Sequence, residues 1–396
     1  MVVEFEGRLD KARLADAIRG VVKTEPILGC RVRRGFFRPR WKPMPGLDAA
    51  DLLRVVTAAE PGPEVEHLLM EDLDPWRGPI VRFGLVRGEQ DTLVVNLDHT
   101  AGDAASVRLL TCLLASIYAH PERAAAPKPA AYFQKRGFRT LLKLNSSDRR
   151  SRTLPASPPG APPGWQFPWR SGTREFAKRI LVRRLAPEKA AAVRDFATAR
   201  NAWLNDVLIA AYFRALSRLL GDGGAVPRLT IPVDMRKYLP PHERPRIANF
   251  AGPFIATLGQ DLGASFVETL DRVRAATAAE KQGRPGLDQA AALSALVDRF
   301  PYRIIESRLA RGKTPVPLPP PWFIALGALR PESFAFGPVA ARYAYPLPSV
   351  GKAEGAFQLS VSCFADSMTL AVCFTGDAAD EELVNRFLDQ YLAELP

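Results

Sequence analysis

In the stretch "LVVNLDHTAGDAASVRLL" (Leu93 to Leu110), one histidine, His99, stands between two aspartates, Asp98 and Asp103. The whole chain has only 4 histidines in 396 residues. An imidazole with an ordinary pKa of about 6.5 can take up and return a proton near neutrality. His99 is therefore a candidate general base. The flanking carboxylates also allow it to be read as one ligand of a metal. No further cluster of histidine, cysteine or carboxylate completes such a set, so no metal is expected. A bland account stays open beside both: Asp103 caps a helix, Gly102 makes a turn, and His99 is a polar residue at a strand end. Against that account, a histidine ending a buried strand is costly to place without partners.

The elements around the motif follow from its pattern. Thr92 to Leu97 suits a buried strand, and from Ala104 the apolar positions Val107, Leu110, Leu114, Ile117 and Tyr118 keep helical spacing. The residues between, "DHTAGD", must form a tight strand-to-helix turn. Gly102 gives that turn conformational freedom, and Asp103 falls where an N-cap belongs. Val81 to Gly88 pairs with Asp91 to Leu97 as a hairpin. The chain opens with a strand at Val2 to Glu6 and a helix capped by Asp10 and stopped by Pro26.

The later sequence repeats the mixture. "REFAKRILVRRL" and "GAVPRLTIPVDMR" read as strands, and "WLNDVLIAAYFRALSRLL" as a helix with Asn205 at its N-cap. "AFQLSVSCF" and "SMTLAVCFTGD" form a closing hairpin before a last amphipathic helix. Both halves are mixed α/β. The break between them is "TLPASPPGAPPGWQFPW" (Thr153 to Trp169), whose 6 prolines and 2 glycines suit neither a helix nor a central strand. This divides the chain into lobes at 1–152 and 172–396, joined by a linker at 153–171. A second proline cluster, Thr314 to Pro321, reads as an extended connector.

Composition narrows the classes. Apolar residues make up 47% and charged residues 24%, as in an ordinary globular protein. No apolar run is long enough for a transmembrane segment, and the N-terminus lacks a signal core, so a cytoplasmic chain is expected. Cys30, Cys112, Cys363 and Cys373 form no CxxC pair and read as buried free thiols. The net charge of +12 points to an anionic partner, and the densest excess lies at Lys135 to Arg152, with 7 basic residues and 1 acidic. Nucleic acid fits poorly, because that run has no regular aromatic interleaving.

"DHTAGDA" resembles the HHxxxDG signature of the condensation-domain and coenzyme-A-dependent acyltransferase superfamily. The match retains the second histidine as His99 and the aspartate as Asp103. The opening "FEGRLDKARLADAIRGVVKTEPILGCRV", the helix "LNDVLIAAYFRAL" and the segment "IPVDMRKYLPPHERPRIANFAGPF" resemble further family segments in the expected order. The resemblance implies two chloramphenicol acetyltransferase-like lobes in a pseudo-dimeric V, with a channel between them. It implies acyl transfer from a thioester, on coenzyme A or on a carrier protein's phosphopantetheine arm, to an alcohol or amine. No permanently bound cofactor is implied, and a monomer is expected. An acidic carrier protein would suit the basic balance.

By the same resemblance His99 is the base, and Arg236 in "PVDMRKYLP" pairs with Asp103, which faces away from substrate. Gly102 belongs to the motif turn, and Asn249 in "IANFAG" shapes or donates to the site. Two positions depart from the signature: Asp98 replaces the first histidine and Ala104 the closing glycine. A carboxylate at Asp98 could raise the imidazole pKa only if it reaches His99. Loss of catalysis, leaving a binding or scaffolding protein, is the alternative these departures allow.

Overall fold

Runs of residues buried on both faces build the central strands of two large sheets. The structure, a computed structural model, describes residues 1–145, 163–169, 177–221, 224–304, 307, 320–348 and 357–396. Five stretches named above fall partly outside these residues: 146–152 of the basic run, 153–162 and 170–171 of the linker, 174–176 of "REFAKRILVRRL", 314–319 of the second proline cluster and 356 of "AFQLSVSCF".

The first part runs β1 (Val2–Phe5), α1 (Lys11–Thr24), β2 (Cys30–Arg33), β3 (Arg40–Pro43), α2 (Ala49–Leu52), β4 (Leu53–Thr57) and α3 (Pro61–Met70). It continues with β5 (Val81–Arg87), β6 (Asp91–Leu97), α4 (Ala104–Ala119), α5 (Pro129–Lys135) and α6 (Phe138–Leu144). The second part runs β7 (Ala177–Leu185), α7 (Pro187–Ala199), α8 (Leu204–Leu220), β8 (Arg228–Asp234), β9 (Ala251–Thr257), α9 (Phe266–Gln282) and α10 (Leu287–Arg299). It closes with β10 (Trp322–Leu329), β11 (Ala341–Tyr345), β12 (Gln358–Phe364), β13 (Ser367–Gly376) and α11 (Ala378–Glu394).

One sheet has the order β11-β1-β6-β5-β4 and the other β7-β13-β12-β10-β8-β9. Strand alternation explains how the first is covered on both faces. Phe83, Leu85, Leu93 and Val95 share a core with Leu14 and Ile18 of α1 and Leu110 and Leu114 of α4. Val86 and Val94 turn the other way, onto Leu68 of α3. Leu110 and Leu114 are fully buried. Each contributes about 1.5–3 kcal/mol through apolar burial, and together they hold the middle of α4 on the sheet. In the second sheet's core, Tyr212 of α8 meets Phe387 of α11 with ring centroids 5.1 Å apart. Phe167, near the end of the proline-rich stretch, stacks on Phe357 at 3.9 Å.

The chain crosses between the two sheets: β11 pairs with β1, setting Tyr345 opposite Val2 and Ala344 opposite Val3. Leu329, Phe334 and Phe364 from the second half join the first half's core. Asn205 is not a cap, because α8 already begins at Leu204, after the extended Trp203. Asp10 does cap α1, accepting from the Arg13 amide.

Candidate active site

The motif turn is built from the backbone outward. After β6 the Asp98 amide donates to the Ile80 carbonyl at 2.8 Å, and the Ala101 amide returns to the Asp98 carbonyl at 2.9 Å. The chain then enters α4 with Asp103 extended at its N-cap, accepting from the Ser106 amide at 2.8 Å. A cap contact of this kind is worth about 1 kcal/mol. Asp103 does much more. Arg236, from the short turn after β8, donates through Nη1 to its Oδ2 at 2.9 Å and through Nη2 to its Oδ1 at 3.2 Å. Both side chains are 4% exposed.

No donor on this guanidinium is wasted. Nε reaches the Pro245 carbonyl at 2.7 Å, Nη1 also reaches Asp234 at 2.9 Å, and Nη2 reaches Ser106 Oγ at 2.9 Å and the Ala248 carbonyl. Burial alone would lower the Arg236 pKa, but Asp103 and Asp234 outweigh it and hold the proton more tightly than usual. The Phe250 amide completes Asp103 by donating to Oδ2 at 2.7 Å. Cap and ion pair are thus the same carboxylate, and it ties α4 to the strand-to-turn segment of the second sheet.

His99 and Asn249 meet at the surface. Asn249 Nδ2 lies 3.1 Å from His99 Nδ1 and 3.4 Å from the His99 carbonyl. Both residues are exposed while Phe250 beside them is buried, so the Phe250–Asp103 bond sets where Asn249 stands. The expected desolvation of His99 does not occur, because the ring lies beyond the end of β6 and faces out. Asp98 does not join it. Its Oδ1 accepts from the amide and hydroxyl of Thr100 instead.

Gly102 serves a purpose other than the expected one. It is absent from the left-handed positions of the backbone, yet an added Cβ would sit 2.6 Å from Ser106 Cβ and 2.9 Å from Leu97 Cδ2. Space is what the residue provides. Gly102→Ala is expected to cost about 1–3 kcal/mol through overpacking, read from the urea unfolding midpoint. An unchanged midpoint would refute the steric account.

No family model matches the chain. Pyochelin synthetase PchE of Pseudomonas aeruginosa is 36% identical over 140 residues, covering 33% of this chain and 10% of that protein. Tyrocidine synthase 2 of Brevibacillus parabrevis is 26% identical over 265 residues, covering 65% of this chain and 7% of that protein. The chain therefore spans a tenth or less of the length of these curated relatives.

Solved structures match over the full length. The first condensation domain of the CDA synthetase superposes with a TM-score of 0.62 at 18% identity, covering 100% of this chain and 91% of that one. The epimerization domain from the third module of tyrocidine synthetase B gives 0.63 at 14% identity, covering 100% and 91%. Polyketide synthase associated protein 5 from Mycobacterium tuberculosis gives 0.62 at 16% identity, covering 99% and 92%. The chain has the condensation-domain fold.

In this condensation-fold chain, sequence reasoning missed several residues that build the site. Ser106 lies under Asp103 and exchanges hydrogen bonds with the Ala248 backbone, its carbonyl at 2.8 Å and its amide at 3.2 Å. Its place three residues after the N-cap, the capping-box position, was the available signal. Asp234 had none beyond sitting two residues before Arg236. Arg136 supports the turn from the other side, donating to the Ala101 carbonyl at 2.9 Å. Burial lowers its pKa, while Tyr132, Glu25 and Cys30 pull it back up. The four thiols are free. Burial pushes each of them up, Cys373 to about 12, so none is a ready nucleophile at neutral pH.

Proposed function

We propose that this chain is an acyltransferase that moves an acyl group from a thioester to an alcohol or amine, with His99 as the general base. The fold alone does not select this reaction, since an epimerization domain shares it. The observation that carries the reading is an exposed imidazole held by Asn249, whose neighbour Phe250 is bonded through its amide to Asp103 of the buried Asp103–Arg236 pair. A thioester needs little further activation. As the acceptor oxygen or nitrogen attacks the carbonyl, His99 removes its proton. The new C–O or C–N bond forms, the C–S bond breaks, and the proton passes to the departing thiolate.

The lobes at 1–152 and 172–396, joined through 153–171, would bring donor and acceptor to His99 from opposite ends of a channel. Holding both reactants there supplies the proximity on which such a site relies. The peptide-synthetase relatives favour a donor carried on a phosphopantetheine arm of an acidic carrier protein over free acyl-coenzyme A. The test is thiol release from acyl-carrier-protein and acyl-coenzyme A donors, each with mixed alcohol and amine acceptors. Acceptor-dependent release is expected, strongest with the carrier donor. Absence of release from every donor would favour a binding or scaffolding protein instead.

Asn249 decides which imidazole nitrogen is free. An amide donating to Nδ1 leaves the proton on Nε2, whereas an amide turned end for end accepts from Nδ1–H and frees Nε2 as the base. The proposed chemistry requires the second arrangement, which exchanges the amide's contacts with the His99 carbonyl and the Ala251 amide, each 3.4 Å, for the bond from Nδ1–H. A carboxylate can only accept, so Asn249→Asp is expected to keep most of the turnover, while Asn249→Ala loses about tenfold or more. Equal rates for the two variants would remove Asn249 from the account.

A further inference from the structure

The hairpin β2–β3 forms a sheet of its own, apart from the two large ones. Its register places Arg31 opposite Lys42 and Arg33 opposite Arg40, with Val32 opposite Trp41 between them. Side chains alternate between the faces of a strand, so the four cations share one face. All four are exposed, while Val32 and Trp41 turn the other way and are half-buried. Like charges set directly opposite on neighbouring strands repel. None of these four side chains has a counter-charge among the described residues. The segment Cys30 to Pro43 holds six basic residues and no acidic one.

At the turn, Phe36 and Phe37 are 62% and 69% exposed. The backbone beneath them is held. The Phe37 carbonyl accepts from the Tyr302 amide at 2.8 Å, and Arg38 pairs with Asp298 at 2.6 Å. Two phenyl rings are thus presented on a fixed tip beside an uncompensated cationic face.

We propose that this hairpin docks the protein peripherally on an anionic phospholipid surface. The two rings enter the headgroup layer, and Arg31, Arg33, Arg40 and Lys42 face lipid phosphates, which relieves their mutual repulsion. Buried apolar area and attraction to anionic lipid add together in binding of this kind. A single-stranded nucleic acid fits the tip less well. The rings pack edge to face, with centroids 4.9 Å apart and planes at 82°, so successive parallel bases of one strand cannot stack on both. The contact is peripheral, since no helix among the described residues is long and apolar enough to cross a membrane. The inference is independent of the proposed acyl transfer.

The test is co-sedimentation of the full chain with vesicles of phosphatidylcholine mixed with phosphatidylglycerol, and with phosphatidylcholine alone. Binding to the mixed vesicles only, weakening as salt rises, is expected. Arg33→Gln with Arg40→Gln should weaken it about thirtyfold, and Phe36→Ser with Phe37→Ser about tenfold or more. All four positions are exposed, so the variants are expected to unfold at the wild-type temperature. Three results would each overturn the proposal: no binding to mixed vesicles, binding indifferent to both double variants, or tighter hairpin-dependent binding to oligo-dT or poly-glutamate than to the vesicles.

Discussion

His99→Ala is expected to lower turnover by about 10²–10⁴-fold while the unfolding midpoint stays where it is. The two halves of this expectation have separate physical grounds. A general base acts only as the transition state forms, so its loss strikes kcat before substrate binding. The ring is exposed and fills no core space, so its removal opens no cavity. Among the described residues its side-chain hydrogen bond is the one with Asn249, and no bond of the Asp103–Arg236 pair runs through it. Steady-state thiol release and a urea melt on the same preparation check both halves. Turnover at the wild-type rate would end the general-base assignment. A large fall in stability would show that the imidazole is structural after all.

What the sequence revealed of this site divides by distance along the chain. The strand-to-helix change at 98–103 is local, so the turn, the cap at Asp103 and the candidacy of His99 could all be read from residue type and periodicity. Arg236 lies 133 positions from Asp103, and no periodicity links the two. Only the family resemblance put them together. Ser106 reads at most as the partner of a local capping box until the Ala248 backbone arrives beside it. The Gly102 requirement belongs to the same class, because the crowding atoms come from Ser106 and Leu97 in the folded turn. The fold shows the same limit. Each of the hairpins β5–β6 and β12–β13 is signalled by its own turn. The pairing of β11 with β1 is not signalled, because "ARYAY" looks the same whichever sheet it enters.

The second large effect is on stability. Arg236→Ala is expected to cost about 3–5 kcal/mol, the range for removing one partner of a buried ion pair. The cost comes less from the lost attraction than from what is left behind. Asp103, 4% exposed, would be left with only the Ser106 and Phe250 donors, the Pro245 carbonyl would lose its donor, and the Ala248 carbonyl would keep only Ser106 Oγ. Arg236→Lys should recover little of this, since one ammonium cannot reproduce the fork to Asp103 while also reaching the Pro245 carbonyl. Removing both charges is different. With no carboxylate stranded, the double variant Asp103→Ala with Arg236→Ala should lose less than the sum of the singles, with a coupling of about 0.5–3 kcal/mol. Urea unfolding of the four proteins measures it. Additive losses would mean that the pair only sits between the two halves of the chain. A positive coupling accompanied by reduced turnover in each single variant would mean that it also holds the Phe250 amide, through that amide Asn249, and through Asn249 the imidazole.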